Sequence, residues 1–326
     1  MLFKSIAKRK TVIRTAALAA VLSVCLCAFL TAGAAADGAE PYRITVDSYG
    51  GRTVAYTVSG GNAGENALAV TAAYTGGRLC RTSLDAFVTG ESAHHGTAAI
   101  AEDFDDFRIF LLDAETLLPL CRYAGLFTVR FMGADGELLS EQRVPSGQSA
   151  VPPQPPEKDG CLFARWDGDF ADITADCVIT AQYVESDAPN IFTVSSVSGT
   201  AGESVTVTVG LTGSVLIGGF DFRLYYDGEA LEFDEMDSEL SMDVIATHVI
   251  SGRNGSNYIT FNYSGTSNRT SGGSILEAVF NIRDGAKPAS PLRLVPNTAA
   301  KSVIYLDGTE KLDAEYTACE GVVYTQ

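Results

Sequence analysis

Three histidines, His94, His95 and His248, are all that the 326 residues contain. With no nucleophile elbow, P-loop or zinc motif beside them, acid–base chemistry would have to rest on a carboxylate pair, and the 40 acids supply such pairs by chance. The sequence therefore points away from an enzyme. Cations are scarce as well: 23 Lys and Arg face 40 Asp and Glu, a net charge of -17, which argues against nucleic acid or an anionic membrane as partner. The seven cysteines include no CxxC pair and no Cys/His cluster at zinc spacing, so neither metal nor cofactor is expected. Tryptophan occurs once, at Trp166. His94-His95 falls between expected strands and reads as a solvated loop pair.

The start of the chain has a separate role. Residues 1–36 hold Lys4, Lys8, Arg9, Lys10 and Arg14 and no acid, then an apolar run from Ala16 to Leu30 and the small residues Ala34-Ala35-Ala36. That is the pattern of a secretion signal cleaved before Asp37, and its removal takes the charge from -17 to about -22 by subtraction of five cations. Cys25 and Cys27 follow Val and Leu, which a lipoprotein site does not accept, so no lipid anchor is expected. The mature chain is expected outside the cell, with no membrane insertion. Of the five remaining cysteines, Cys80 with Cys121 and Cys161 with Cys177 are compatible with disulfides in a secreted chain, and buried free thiols are equally compatible.

Short strands with Gly-rich turns at Gly50-Gly51, Gly60-Gly61 and Gly76-Gly77 suggest an immunoglobulin-like sandwich over residues 37–124. A smaller unit, 125–184, has an F-T-V-x-F strand, an Asp135-Gly136 turn, the proline-rich crossing Val151 to Glu157, a strand ending at Trp166 and another ending at Tyr183. Glu185 to Asn190 reads as a short linker. Beyond it about nine or ten strands and no convincing helix predict a two-sheet sandwich over 191–326, with Asn254-Gly255 and Asp284-Gly285 as hairpin turns. Asn254, Asn262 and Asn268 each begin an N-x-S/T triplet.

Ile217 to Phe233, IGGFDFRLYYDGEALEF, carries most of the functional signal. Phe220, Phe222, Leu224 and Tyr226 alternate with Asp221, Arg223 and Tyr225, so an extended backbone sends the first set to a core and the second to the other face. Asp227-Gly228 supplies a turn, and Leu231 and Phe233 begin a second strand of the same period.

With Ile191 to Val197, Gly202-Glu203-Ser204-Val205, Leu231-Glu232-Phe233 and the closing Gly321-Val322-Val323, this stretch resembles a cohesin module, the jelly-roll β-sandwich receptor of cellulosome scaffold proteins. The resemblance implies a secreted, non-catalytic module that docks a dockerin-bearing protein, the dockerin carrying calcium, in polysaccharide degradation. It places Asp221, Arg223 and Tyr225 on or beside the docking face, with Glu310 and Asp313 as further acidic contacts. Where the family commonly has an Asn two residues before the Asp, this sequence has Gly219. Residues 126–184 resemble the internalin-type B-repeat, a β-grasp-like module, which makes Trp166 a core aromatic instead of a sugar platform. DGDFADITAD lacks the Gly and Glu of an EF-hand loop. The alternative function is a carbohydrate-binding or adhesive surface protein using Tyr225, Tyr258 and Tyr263, and a third is a stalk without ligand.

Overall fold

The computed structural model describes residues 42–238, 245–249, 256–297 and 302–326, with 245–249 described in backbone only. The expected signal segment and the Asn254-Gly255 turn lie outside the described residues. Among the described residues every regular element is a β-strand, so the chain is all-β. Two compact units result: one runs through Thr128 and takes in 143–148 and 172–176, and the other comprises 129–142, 149–171 and 177–326.

In the first unit, β1 (Arg43–Gly50), β2 (Thr53–Ser59), β3 (Asn66–Thr75), β4 (Arg78–Val88), β5 (His94–Ala99) and β6 (Asp106–Asp113) form the sheets β1-β2-β5 and β4-β3-β6. Val54, Tyr56 and Val58 alternate inward along β2, as period two requires, and meet Phe107, Ile109 and Leu111 in one core. β5 is the element that the sequence reading missed. HHGTAA offers only small side chains to bury, so its alternation is faint, and the two histidines open a strand instead of sitting in a loop.

His94 is held there by contacts. Its Nε2 lies 2.8 Å from Asp85 Oδ2 and its ring stacks on Phe87 at 3.7 Å. The Tyr56 hydroxyl donates to the same oxygen at 3.0 Å. Gly96 makes room for this, because a Cβ there would fall 2.3 Å from the Tyr56 ring.

The strands β7 (Ala124–Met132), β8 (Leu138–Pro145), β9 (Cys161–Asp167) and β10 (Cys177–Glu185) follow. In the second unit β10 runs parallel to the end of β7 and antiparallel to β9. Trp166 is buried at 5% exposure, edge-on to Phe131 at 5.1 Å, and so is a core aromatic. The register sets Cys161 opposite Glu185, eight positions from Cys177 along β10. At about 3.3 Å per residue that is roughly 26 Å, far beyond the ~7 Å a disulfide spans. A Cys161–Cys177 bridge is therefore excluded, and none of Cys80, Cys121, Cys161, Cys177 and Cys319 is in a disulfide.

Residues 185–190 are bonded down along their length. Ser186 N–H donates to Gly160, Ser214 N–H to Ala188, and Asn190 N–H to Ser214. Asn190, at φ 47° and 3% exposure, accepts from Leu216 N–H at 2.8 Å and donates to the Glu315 carbonyl at 2.8 Å. A short polar side chain is the kind that tolerates this left-handed conformation.

The sandwich is built from β11 (Ile191–Val194), β12 (Val197–Gly199), β13 (Ser204–Thr212), β14 (Ile217–Asp227), β15 (Leu231–Asp237), β16 (Ile245–Val249) and β17 (Ser256–Arg269), continued by β18 (Gly273–Ile282), β19 (Ala289–Pro296), β20 (Val303–Asp307), β21 (Glu310–Asp313), β22 (Thr317–Cys319) and β23 (Gly321–Thr325). One sheet has the order β15-β18-β13-β11-β22 and the other β12-β23-β19-β14-β17-β16, with β20 also on β14 and β21 on β20. Phe192, Phe222, Phe261 and Phe280 lie between the sheets without solvent exposure. Burying each contributes about 1.5–3 kcal/mol. One expectation needs correcting here. Asp284-Gly285 joins strands of different sheets, as Asp227-Gly228 does, so it is a crossing between layers and not a hairpin turn.

Candidate functional site

β14 lies between two partners, and its register defines the outer face of its sheet. Phe220, Phe222, Leu224 and Tyr226 are buried, and Asp221, Arg223 and Tyr225 are half-buried on the opposite side. Residues directly paired across strands share a face. Asp221, Arg223 and Tyr225 oppose Asn262, Thr260 and Tyr258 of β17, and on the other side Arg223 and Tyr225 oppose Val295 and Arg293 of β19. The row predicted to face outward does so, and the core does not contain it.

Within that row the arginine is engaged by aromatic side chains. The Arg223 guanidinium lies over the Tyr258 ring, 4.8 Å from its centroid, and the Tyr225 and Tyr258 rings are 5.1 Å apart. Nη1 makes a long 3.5 Å contact to the Tyr225 hydroxyl, which pushes the guanidinium further above its usual range, so it stays charged. Nε of Arg223 is shielded and unpartnered. A cation laid on an aromatic face gains about 0.5–2 kcal/mol, and here it presets the arginine.

Asp221 is engaged inside the protein. Its carboxylate accepts from Asn297 Nδ2 at 3.1 and 3.0 Å, its N–H donates to Ser302, and its carbonyl accepts from Asn297 N–H. It thereby clamps β14 to the described residues on either side of 298–301, where its neighbour changes from β19 to β20.

The remaining two predicted residues separate. Asp313 pairs with Ile304, which pairs with Gly219, so by register Asp313 shares the face of the Asp221 row. Glu310, three positions away and paired with Asp307, falls on the other face of the β20–β21 hairpin. Gly219 itself has no space for a side chain, since a Cβ would lie 2.7 Å from the Tyr263 carbonyl oxygen. β20 at its flank and β17 behind it occupy the room an asparagine would need.

Of the three tyrosines offered for stacking, Tyr263 is taken by the core side, its ring 5.6 Å from Phe220. Tyr258 was legible from the alternation of Tyr258, Thr260 and Asn262 with Ile259 and Phe261. Arg293 and Asn297 were not, because only the pairing of β19 with β14 brings them there. Among the described residues no group of three or more His, Cys, Asp or Glu is placed to hold a metal ion. No described helix is long and apolar enough to cross a membrane.

Comparison with known proteins adds the family. Residues 191–311 match the family model described as "Cohesin domain". No curated protein matches the chain. Among solved structures, the chain is similar to the seventh ScaB type I cohesin from Pseudobacteroides cellulosolvens, with 16% identity over 42% of this chain and 92% of that one and a TM-score of 0.34. It is also similar to the third cohesin ScaC in complex with the ScaB dockerin from Acetivibrio cellulolyticus (20% identity, 42% and 98% covered, TM-score 0.33). A third is the non-cellulosomal cohesin from the archaeon Archaeoglobus fulgidus (15%, 43% and 92%, TM-score 0.32). Over residues 191–311 the C-terminal sandwich of this chain thus matches the cohesin domain.

Proposed function

We propose that the protein is an exported, non-catalytic modular receptor whose cohesin domain binds a dockerin-bearing partner, in an assembly of the cellulosome type that degrades polysaccharide. One observation carries the reading: Arg223, Tyr225 and Tyr258 form a preset cation–aromatic cluster on an open sheet face of a domain that matches the cohesin model. Arg and Tyr are the residue types that supply most of the energy at protein interfaces, and a few of them suffice. The start of the chain, with its basic residues, apolar run and Ala34-Ala35-Ala36, supports export. The carbohydrate-binding alternative loses one of its three aromatics to the core, which leaves Tyr225 and Tyr258 side by side and no extended stacking track.

The test is titration of the full-length protein with a panel of calcium-loaded dockerins, and in parallel with insoluble cellulose and xylan. Binding to a dockerin is expected, with Arg223→Ala and Tyr258→Ala each weakening it by about tenfold or more. Binding to the glycans alone, or to neither, sinks the proposal.

A further inference from the structure

The outer face of β14 does not end at the edge of the sandwich. Extending the antiparallel register of β19 with β23 from Leu292↔Gly321 by one step sets Arg293 beside Glu320, and Arg293 Nε lies 3.9 Å from the Glu320 carboxylate. One row thus crosses the sheet: Tyr258, Tyr225, Arg293, Glu320.

The row continues into the smaller β-module, whose residues 149–171 belong to the same compact unit. Asp169, in the loop after β9, reaches Arg293 at 3.7 Å, and the loop is shaped by Ala171 N–H donating to Asp169 Oδ1. Glu320 N–H donates to the Ala164 carbonyl of β9 at 2.7 Å. Just behind, Ala164, Ile191 and Cys319 form a buried cluster with Leu162, Val184 and Ala188 packed against it. An apolar seam with a backbone hydrogen bond holds the loop beside the face, so it is in place before any partner arrives.

We infer that the docking surface is composite: a protein bound on the Arg223, Tyr225 and Tyr258 cluster also meets the Asp167–Asp169 loop of the preceding module, and carries a lysine or arginine there. This rests on the proposed docking function. Two spacings of about 4.8 Å separate Tyr225 from Glu320 across the strands, a distance of roughly 10 Å. A standard interface, about 800 Å² on each partner, extends well past that. The edge it reaches carries three acids against two cations. Asp167 and Asp169 are exposed there and Glu320 is half-buried, while Arg293 engages Asp169 and Glu320 and the exposed Arg165 also faces Glu320. A basic group on the partner matches this edge, and a rim charge of this kind acts mainly through association rate and salt dependence.

The experiment compares Asp169→Asn, Asp169→Lys and Tyr258→Ala in the full-length protein against the dockerin that binds the unaltered chain. Asp169→Asn removes the charge while keeping an oxygen for Ala171, and Asp169→Lys reverses the charge. Expected at low salt are losses of about threefold and tenfold respectively, both fading at 0.5 M NaCl, where the Debye length falls to about 4 Å. The Tyr258→Ala loss persists at all salt concentrations. A merely structural role for Asp169 would shift the melting temperature without a salt-dependent affinity. If both Asp169 variants bind as the unaltered protein does while Tyr258→Ala is weakened, the composite surface is refuted and the docking function stands. If Tyr258→Ala is also unchanged, or no dockerin binds, both readings fall.

Discussion

Replacing Asn190 by alanine removes both hydrogen bonds of its buried amide. Leu216 N–H loses Oδ1 and the Glu315 carbonyl loses Nδ2, each at 2.8 Å, where Asn190 is 3% exposed. A buried group stranded in this way costs about 1–3 kcal/mol. At φ 47° alanine also meets a left-handed penalty of about 1–2 kcal/mol, much of which asparagine escapes. The expected loss is about 4 kcal/mol. Asn190→Gly separates the two causes, because glycine accepts the backbone conformation but strands the same groups, and it should recover only about 1 kcal/mol. Urea unfolding followed by the fluorescence of Trp166 reads the result directly, since Trp166 is the only tryptophan and lies in the same compact unit. A glycine variant within 0.5 kcal/mol of the unaltered protein would refute the reasoning, for then the amide bonds stabilise nothing.

Two further outcomes follow from space and burial. Gly219→Asn, which restores the residue common in the resembled family, forces a Cβ to 2.7 Å from the Tyr263 carbonyl oxygen and should lower the melting temperature by several degrees through overpacking; an unchanged value contradicts it. Burial pushes the Cys121 thiol up to about 12 and the Cys319 thiol up to about 11, from 9.0. Because both are raised in the folded state, the unfolded chain releases these protons first. Their stabilisation is complete below about pH 9 and is lost as pH rises through 11 to 12. Urea midpoints should therefore fall above pH 9. At pH 8 both thiols should react with iodoacetamide at least tenfold more slowly in the folded than in the unfolded protein, and equal rates would overturn this.

How much of this was legible in the sequence depended on whether the signal was local. Period two is a property of consecutive residues, so the buried row Phe220 to Tyr226 and the inward valines of β13 could be read without coordinates. β5 escaped because Gly96, Thr97 and Ala98 have too little apolar bulk to mark a face, although its glycine is what lets Tyr56 reach Asp85. The turn Asp284-Gly285 was read as a hairpin for a related reason. Composition signals a reversal of the chain, but whether the next strand pairs or crosses to the other layer depends on which strands fill the neighbouring positions. In β14 those positions are held by β17, β19 and β20, all more than 25 residues downstream.

The same distinction explains why the candidate site was only half visible. Alternation tells which side of a strand a polar residue faces, and it put Asp221, Arg223 and Tyr225 together. It carries no information on whether that residue's hydrogen-bonding capacity is already used. Asn297, 76 positions away, takes the Asp221 carboxylate, whereas Arg223 is held by the Tyr258 ring and by a long contact to the Tyr225 hydroxyl. Two residues equivalent by sequence thereby differ: Asp221 closes the sheet where β19 gives way to β20, and Arg223 is the one on which the proposed docking rests. A binding surface in a β-sandwich is thus defined by subtraction. It is the part of the outward row that the protein's own later strands leave uncommitted, and in the proposed docking that part begins at Arg223.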